Sequence, residues 1–258
     1  DGNESSSVYE AVNSEIEQNF YLGMHNEMLG FRAPRAAAFA CFKAAEKGGE
    51  FMIADGRAVF RDVDSNVLER LYRRSICYSE FELDFFDWVR ELPKFLQPVA
   101  MTYCKTMAYW SMYLPYFSKW DFEAKLVERR TNDGISLLAC TPSQPPVIRN
   151  PVTEEANWFC NVHTYSSKLR RARELLYGCE VRYERLATDI LYGDYGDISD
   201  ADLLHLEKVV DDNIHHIRMR EGDFVLLDNY ATMHGRNRFS GTRKHAVAWF
   251  DGWEGEKK

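Results

Sequence analysis

The sequence predicts a mainly β fold flanked by a few helices. Three observations point there. Residues 36–42, 223–227 and 246–250 are compact apolar runs, each too short for a helix and bounded by polar turns. Asn132-Asp133-Gly134 sits between two further runs, 122–128 and 135–139, and an Asp-Gly turn between such runs is a strong hairpin signal. Helical spacing, by contrast, is confined to the stretches 65–74, 167–177 and 199–212.

Taken in order, residues 1–18 are polar and read as a loop or frayed end. Residues 21–24 read as the end of a strand, and 36–42 as a strand followed by a Gly48-Gly49 turn. Two short strands, 52–54 and 58–60, flank Asp55-Gly56, and 65–74 is a helix. Residues 78–122 are dense in aromatics, among them Trp88, Tyr103, Tyr109, Trp110 and Tyr113, and Pro93, Pro98 and Pro115 break them into short pieces. Either these rings pack an insert against the rest of the domain, or the insert is a lid over a binding cavity. Strands at 147–150 and 157–162 place Asn161 and His163 near a sheet face, His163 as a structural histidine. The helix 167–177 turns Leu169, Ala172 and Leu176 inward, stops at Gly178, and leaves Lys168, Arg170, Arg171 and Arg173 as a solvated face. The helix 199–212 buries Leu203, Leu206 and Val210 behind a Ser199/Asp202 capping signature. In the strand 214–219, His215 and His216 point to opposite faces and are no chelating pair. With no repeats and no low-complexity linker, the chain reads as one domain.

Composition bounds the function. The 258 residues are 45% hydrophobic, enough for one large core. A formal net charge of −8 and a pI near 5.5 argue against nucleic acid or an anionic membrane surface as partner. No apolar run approaches the ~20 residues of a membrane span, and no signal-peptide pattern is visible, so the expected location is cytoplasmic. Six scattered cysteines without a C-x-x-C favour free thiols in a reducing compartment.

The chemistry is concentrated in two places. In an extended Met24-His25-Asn26-Glu27, side chains two apart share a face, so His25 and Glu27 can hold one ion. Far downstream, DFVLLDNYATMHGRNRFSGTRKHAVAWF reads as a strand, a turn carrying His234, a basic loop, and a second strand beginning near Arg243. If those strands pair, His234 and Arg243 face a common interior. Two imidazoles and one carboxylate form the facial set that leaves positions open on non-haem iron(II). A second H-x-E, His205-Leu206-Glu207, is set aside because residues two apart on a helix diverge by roughly 200°.

The order H-x-E, long gap, H, then R resembles the iron(II)/2-oxoglutarate oxygenases of the taurine dioxygenase (TauD/TfdA) and clavaminate synthase-like group. HNEM with the segment running to Gly48-Gly49-Glu50, DFVLLDNYATMHGRNRF, and more weakly VIRNPVTEEANWFCN carry the likeness, from about Tyr21 to Asp251. The resemblance implies a double-stranded β-helix (jelly roll) with iron(II) on His25, Glu27 and His234. It also implies 2-oxoglutarate and dioxygen as cosubstrates, with Arg243 gripping the distal oxoglutarate carboxylate and Arg236 in a cosubstrate or structural role. Several relatives have a threonine at the second oxoglutarate anchor; here that position is Phe51. Asn161, Arg149 and Arg238 are the expected substrate contacts. Halogenating relatives replace the carboxylate that Glu27 keeps, so hydroxylation, or desaturation or ring closure, is expected. The substrate would be a small polar, amino-acid-derived molecule, free or carrier-tethered. Relatives also carry a sizeable stretch before the first metal motif, so a missing natural beginning is expected. Two other classes compete: a non-catalytic jelly-roll binding protein, and a zinc hydrolase, which the lack of an H-E-x-x-H disfavours.

Overall fold

The computed structural model describes residues 10–11, 21–27, 33–82, 87–113, 125–131, 134–176 and 189–250. Two four-stranded sheets carry its centre. The first runs in the order β1 (Glu10–Ala11), β16 (Lys244–Phe250), β3 (Ala36–Lys43), β13 (Phe224–Asp228). The second runs β12 (His215–Ile217), β5 (Phe51–Asp55), β14 (Thr232–Arg236), β2 (Leu22–His25). A third sheet has the order β11 (Asp189–Tyr192), β6 (Ile76–Glu82), β8 (Gly134–Cys140), β7 (Lys125–Thr131). Two short pairs complete the strands: β9 (Val147–Arg149) with β10 (Ala156–Trp158), and β4 (Lys47–Gly48) with β15 (Phe239–Ser240). Every pairing among the described residues is antiparallel.

The first two sheets pack face to face. Phe39 and Cys41 of β3, Leu227 of β13 and Val247 of β16 meet Phe51 of β5 and Met219 in one apolar cluster. The outer face of the second sheet is just as apolar, because alternate residues on a strand point opposite ways. Met24, Met52, Ala54 and Met233 face a larger core formed with α1 (Gly56–Asp62), α2 (Ser65–Arg74) and α7 (Asp200–Asp212). Met24, Met52 and Met233 are fully buried, and trimming any one to alanine would cost about 2–5 kcal/mol. The odd residues of β14 thus anchor the sheet to its helices, which frees the even ones, His234 and Arg236, for the space between the sheets.

Several expectations hold. α2 starts at its cap, the Asp64 carboxylate accepting from Asn66 N at 2.9 Å, and α7 starts at Ser199, whose hydroxyl accepts from Asp202 N at 3.1 Å. The hairpin β7–β8 closes on Thr131 opposite Gly134, although Asn132 and Asp133 lie outside the described residues. Gly48 and Gly49 turn with φ of +66° and +72°, and a Cβ on Gly48 would meet the Arg238 carbonyl at 2.2 Å. Cys41, Cys77, Cys104, Cys140 and Cys160 are free thiols; Cys179 lies outside the described residues.

Other expectations are corrected. Residues 58–60 belong to helix α1, because Asp55 accepts from Arg57 N and caps a helix where a second strand was expected. The strand expected at 157–162 ends at Trp158, and α5 (Val162–Tyr165) follows. The strand expected at 214–219 is described only at β12, with both histidines exposed. Glu10–Ala11, expected in a loop, pairs with β16. In the aromatic stretch, α3 (Asp87–Glu91) is followed by a 17-residue helix, α4 (Gln97–Tyr113). Pro98 lies in its first turn, where a missing N–H breaks no helical bond. α4 packs through Ala100, Met101, Cys104 and Ala108 against Leu137 of β8, while Tyr103, Tyr109 and Trp110 stay exposed. The side chain of Tyr113 and residues 114–122, with Pro115, are outside the described residues. On α6 (Ser167–Leu176) only Leu169 is buried. Its Arg173 leaves the expected solvated face to pair with Glu207 at 2.9 Å. Among the described residues no helix is long and apolar enough to cross a membrane.

Candidate metal centre

The antiparallel pairing of β2 with β14 sets His25 directly opposite His234. His234 lies in mid-strand, not in the expected turn, and a bulge follows it before Arg236. The two imidazole rings stand 4.4 Å apart. Glu27 reaches the same point, with its Oε1 3.1 Å from His234 Nε2, and the three ligand atoms all lie within 4.8 Å of one another.

Hydrogen bonding fixes which nitrogen of His25 is free. Its Nδ1 lies 2.8 Å from the Gly23 carbonyl, which can only accept. Nδ1 therefore carries the proton and Nε2 the lone pair, the usual arrangement for a ligand imidazole held by a backbone carbonyl. Burial and then the neighbouring His234 push the His25 pKa down to about 4, so the ring is neutral near pH 7. Burial pushes the Glu27 carboxyl up, but the His234 hydrogen bond, together with the neighbouring imidazoles and the Trp249 indole, outweighs it and holds the group below its usual range. Phe39 stands 4.8 Å from the His234 ring, and Phe51 lies nearly parallel to it at 6.0 Å. The phenyl rings wall one side of the cluster against water. Phe51, where a polar anchor was in question, serves as that wall.

Glu27 lies beyond the end of β2, yet its backbone is fully engaged. Asn229, in the turn between β13 and β14, accepts from Glu27 N at 2.8 Å and donates to Glu27 O at 2.9 Å. Asn161 does the same for Asn26, at 2.8 and 3.1 Å. Asn161, expected at the substrate, thus commits its side chain to the backbone of the ligand segment. Neither asparagine contact was visible in the sequence, beyond the Asp228-Asn229 words of the downstream block.

A cationic corner lies in the same interior. Arg236, Arg243 and His245 are all buried. The guanidinium carbons of Arg236 and Arg243 stand 4.8 and 5.6 Å from the Phe239 ring centroid. Burial, then Arg243, then Arg236 push His245 down to about 4, so it too is neutral near pH 7. Arg243 immediately precedes β16, and the pairing considered for the strands at 223–227 and 246–250 does not form, because β3 lies between β13 and β16. β14 and β16 belong to the two facing sheets, so the arginine and the histidine ligand approach from opposite sides. Lys244 is exposed, as strand alternation predicts. The same alternation from Arg243 could have identified His245, which sequence reasoning missed. Arg149 is exposed on β9, and Arg238 is half-buried in the loop after β14, where its carbonyl accepts from Gly49 N at 2.8 Å.

Known proteins resemble this chain. DdaC, a dapdiamide synthesis protein of Enterobacter agglomerans, is 23% identical over 223 residues, which cover 84% of this chain and 61% of DdaC. The structure of the PvcB protein from Pseudomonas aeruginosa matches with a TM-score of 0.50 at 16% identity, over 95% of this chain and 64% of PvcB. An asparagine oxygenase, solved with Fe(II), 3-hydroxyasparagine and succinate, matches with a TM-score of 0.51 at 12% identity, over 95% of this chain and 56% of its own. At such identity the structural matches show the fold alone, and the chain spans less than two thirds of each of these relatives. The sequence model of the taurine catabolism dioxygenase TauD, TfdA family matches residues 2–249, from before His25 into β16. The protein belongs to the TauD, TfdA family of dioxygenases.

Proposed function

We propose that this protein is an iron(II)- and 2-oxoglutarate-dependent oxygenase acting on an unactivated C–H bond of a small, polar, amino-acid-derived metabolite. The observation that carries the reading is the convergence of His25, Glu27 and His234 beside a buried corner of Arg236 and Arg243. The donor set fits iron(II): a neutral imidazole with its lone pair directed by Gly23, a second buried imidazole, and a carboxylate held ionised. Two facing antiparallel four-stranded sheets with the ligands between them are in keeping with a jelly roll.

His25, Glu27 and His234 would hold the ion, and Arg243, with Arg236 beside it, the far carboxylate of oxoglutarate. When bound, iron and oxoglutarate supply the oxidising chemistry, with dioxygen as oxidant and succinate as coproduct. The chain's own residues orient and exclude water. The planar fork of Arg243 matches a carboxylate in two parallel hydrogen bonds, which sets the direction of the cosubstrate. Phe39 and Phe51 keep water from the imidazole face. Glu27 occupies the position that a halide would need, which favours hydroxylation. DdaC's role in dapdiamide synthesis and the asparagine oxygenase's hydroxyasparagine support an amino-acid derivative, free or carrier-tethered. Arg149 and Arg238 are retained as substrate contacts. The exposed aromatic face of α4 is the surface proposed to cover the substrate.

The test is succinate release from oxoglutarate with iron(II) and ascorbate, across a panel of amino acids and their derivatives. Turnover stimulated by one class identifies the substrate. Iron binding without any oxoglutarate consumption would make the protein a non-catalytic binder instead.

A further inference from the structure

Among the described residues, no strand lies beside the segment that carries Glu27. β2 ends at His25, and the next two residues run through a buried region with their backbone groups open on both edges. Buried backbone N–H and C=O groups must find partners. Here two side-chain amides supply them, one for each residue. In extended backbone, the polar groups of successive residues point to opposite edges. Asn161 and Asn229 accordingly come from different elements, the start of α5 and the β13–β14 turn. Each amide reproduces the two-bond exchange of a strand neighbour, accepting an N–H and donating to the C=O of the same residue. Those backbone partners also settle which amide atom is oxygen and which nitrogen.

Three details set the arrangement apart from ordinary packing. Asn161 stands at the N-cap of α5 but makes no side-chain cap bond, so its amide serves the ligand segment and not its own helix. The second Asn229 Nδ2–H donates to Pro34 O at 2.8 Å, tying Glu27 to the residues that lead into β3. The Asn26 side chain reaches back to Asn229 O at 2.8 Å and Thr232 O at 3.3 Å, so the three asparagines interlock the ligand segment with the start of β14. Asn26, Asn161 and Asn229 are 1%, 3% and 1% exposed, where open amides would be costly.

We propose that Asn161 and Asn229 are positioning residues of the metal centre, a pair of amide splints that hold Glu27 where it meets His25 and His234. The proposal rests on the metal-centre reading above. It makes the carboxylate ligand preorganised before any ion arrives, which keeps the ordering of Asn26 and Glu27 from being charged against metal affinity.

The test measures two quantities on full-length protein, for the wild type and for Asn229→Asp, Asn229→Ala and Asn161→Asp. The aspartates keep shape and acceptor but set an oxygen against a carbonyl. The first quantity is amide hydrogen exchange at Asn26 and Glu27 in metal-free protein, with α7 as internal reference. The second is cobalt(II) affinity, read from its visible absorption. In the wild type both amides should exchange slowly without metal, and fast exchange there overturns the proposal even if every variant fails to fold. In the folded variants, exchange should quicken at these two amides while α7 is unchanged, and cobalt(II) should bind about 10–100-fold more weakly. Unchanged affinity, or exchange that rises equally in α7, overturns the splint in favour of general packing. Failure of the metal-centre reading appears separately: His25→Ala would then leave cobalt(II) binding intact, whatever the exchange data show.

Discussion

Among the described residues, two places gather histidine and carboxylate side chains closely enough to hold a metal. His25, Glu27 and His234 form one, and His163, Glu207 and Asp211 the other, each with its ligand atoms within 4.8 Å of one another. Their surroundings differ. Glu207 is paired with Arg173 at 2.9 Å, and both side chains are largely buried. Arg173 also donates to the His163 carbonyl. His163 Nδ1 accepts from Met24 N at 3.4 Å, so its proton sits on Nε2, which faces Asp211 at 3.2 Å. That cluster is already balanced: a fixed cation meets one carboxylate and an imidazole N–H faces the other. In the first cluster the groups that bear on Glu27 are His234 at 3.1 Å, His25 and the Trp249 indole, none of them a fixed cation, and the His25 tautomer leaves a lone pair facing inward. Convergence of donors is therefore insufficient. What distinguishes a metal centre from an ion-pair network is whether the chain has filled the donors itself.

The comparison breaks most sharply at the ligands. His25→Ala, Glu27→Ala and His234→Ala should each lower cobalt(II) or iron(II) binding and oxoglutarate turnover below detection. His205→Ala, Glu207→Ala and Asp211→Ala should keep both, as titration and succinate assays would show. Loss in Glu207→Ala with retention in Glu27→Ala would invert the assignment.

Next in size is the cosubstrate corner. Arg243→Ala should raise the oxoglutarate KM about 10–100-fold, the range of a charge-assisted bidentate contact, and Arg243→Lys should restore only part of it. An unchanged KM would transfer the anchor to Arg236.

The second cluster should answer in stability instead. Arg173→Ala strands the mostly buried Glu207 carboxylate and should cost about 2–3 kcal/mol, less than a fully buried pair because both side chains retain some exposure. Thermal denaturation would register the loss, while cobalt(II) affinity should stay within about threefold. A large fall in affinity without a fall in Tm would mean that the second cluster tunes the first.

The smallest stability effect belongs to α4. Trp110 is 68% exposed, so Trp110→Ala should change stability by no more than about 0.5 kcal/mol. If this face covers the substrate, succinate release persists while substrate oxidation falls. A folded variant with the two still in step removes Trp110 from that role.

What the sequence determined by itself is what depends on neighbours along the chain. Strand alternation separated Arg243 from Lys244, helical spacing placed α2, and the Ser199/Asp202 cap placed α7. The spacing of His25 and Glu27, against that of His205 and Glu207, distinguished a shared strand face from diverging helix faces. Tertiary structure decided everything that depends on which distant segments meet. Asp55 capped α1 where a strand was expected, within reach of sequence reasoning yet overridden there by the apolar 58–60 run. No local signal, however, could show that β14 and β16 lie in opposite sheets, that Arg173 meets Glu207, or that Asn161 abandons its own helix for Asn26. Propensity and periodicity act over one element, whereas ion pairs and amide bridges join residues 34 and 135 positions apart, and only the packed chain brings those together.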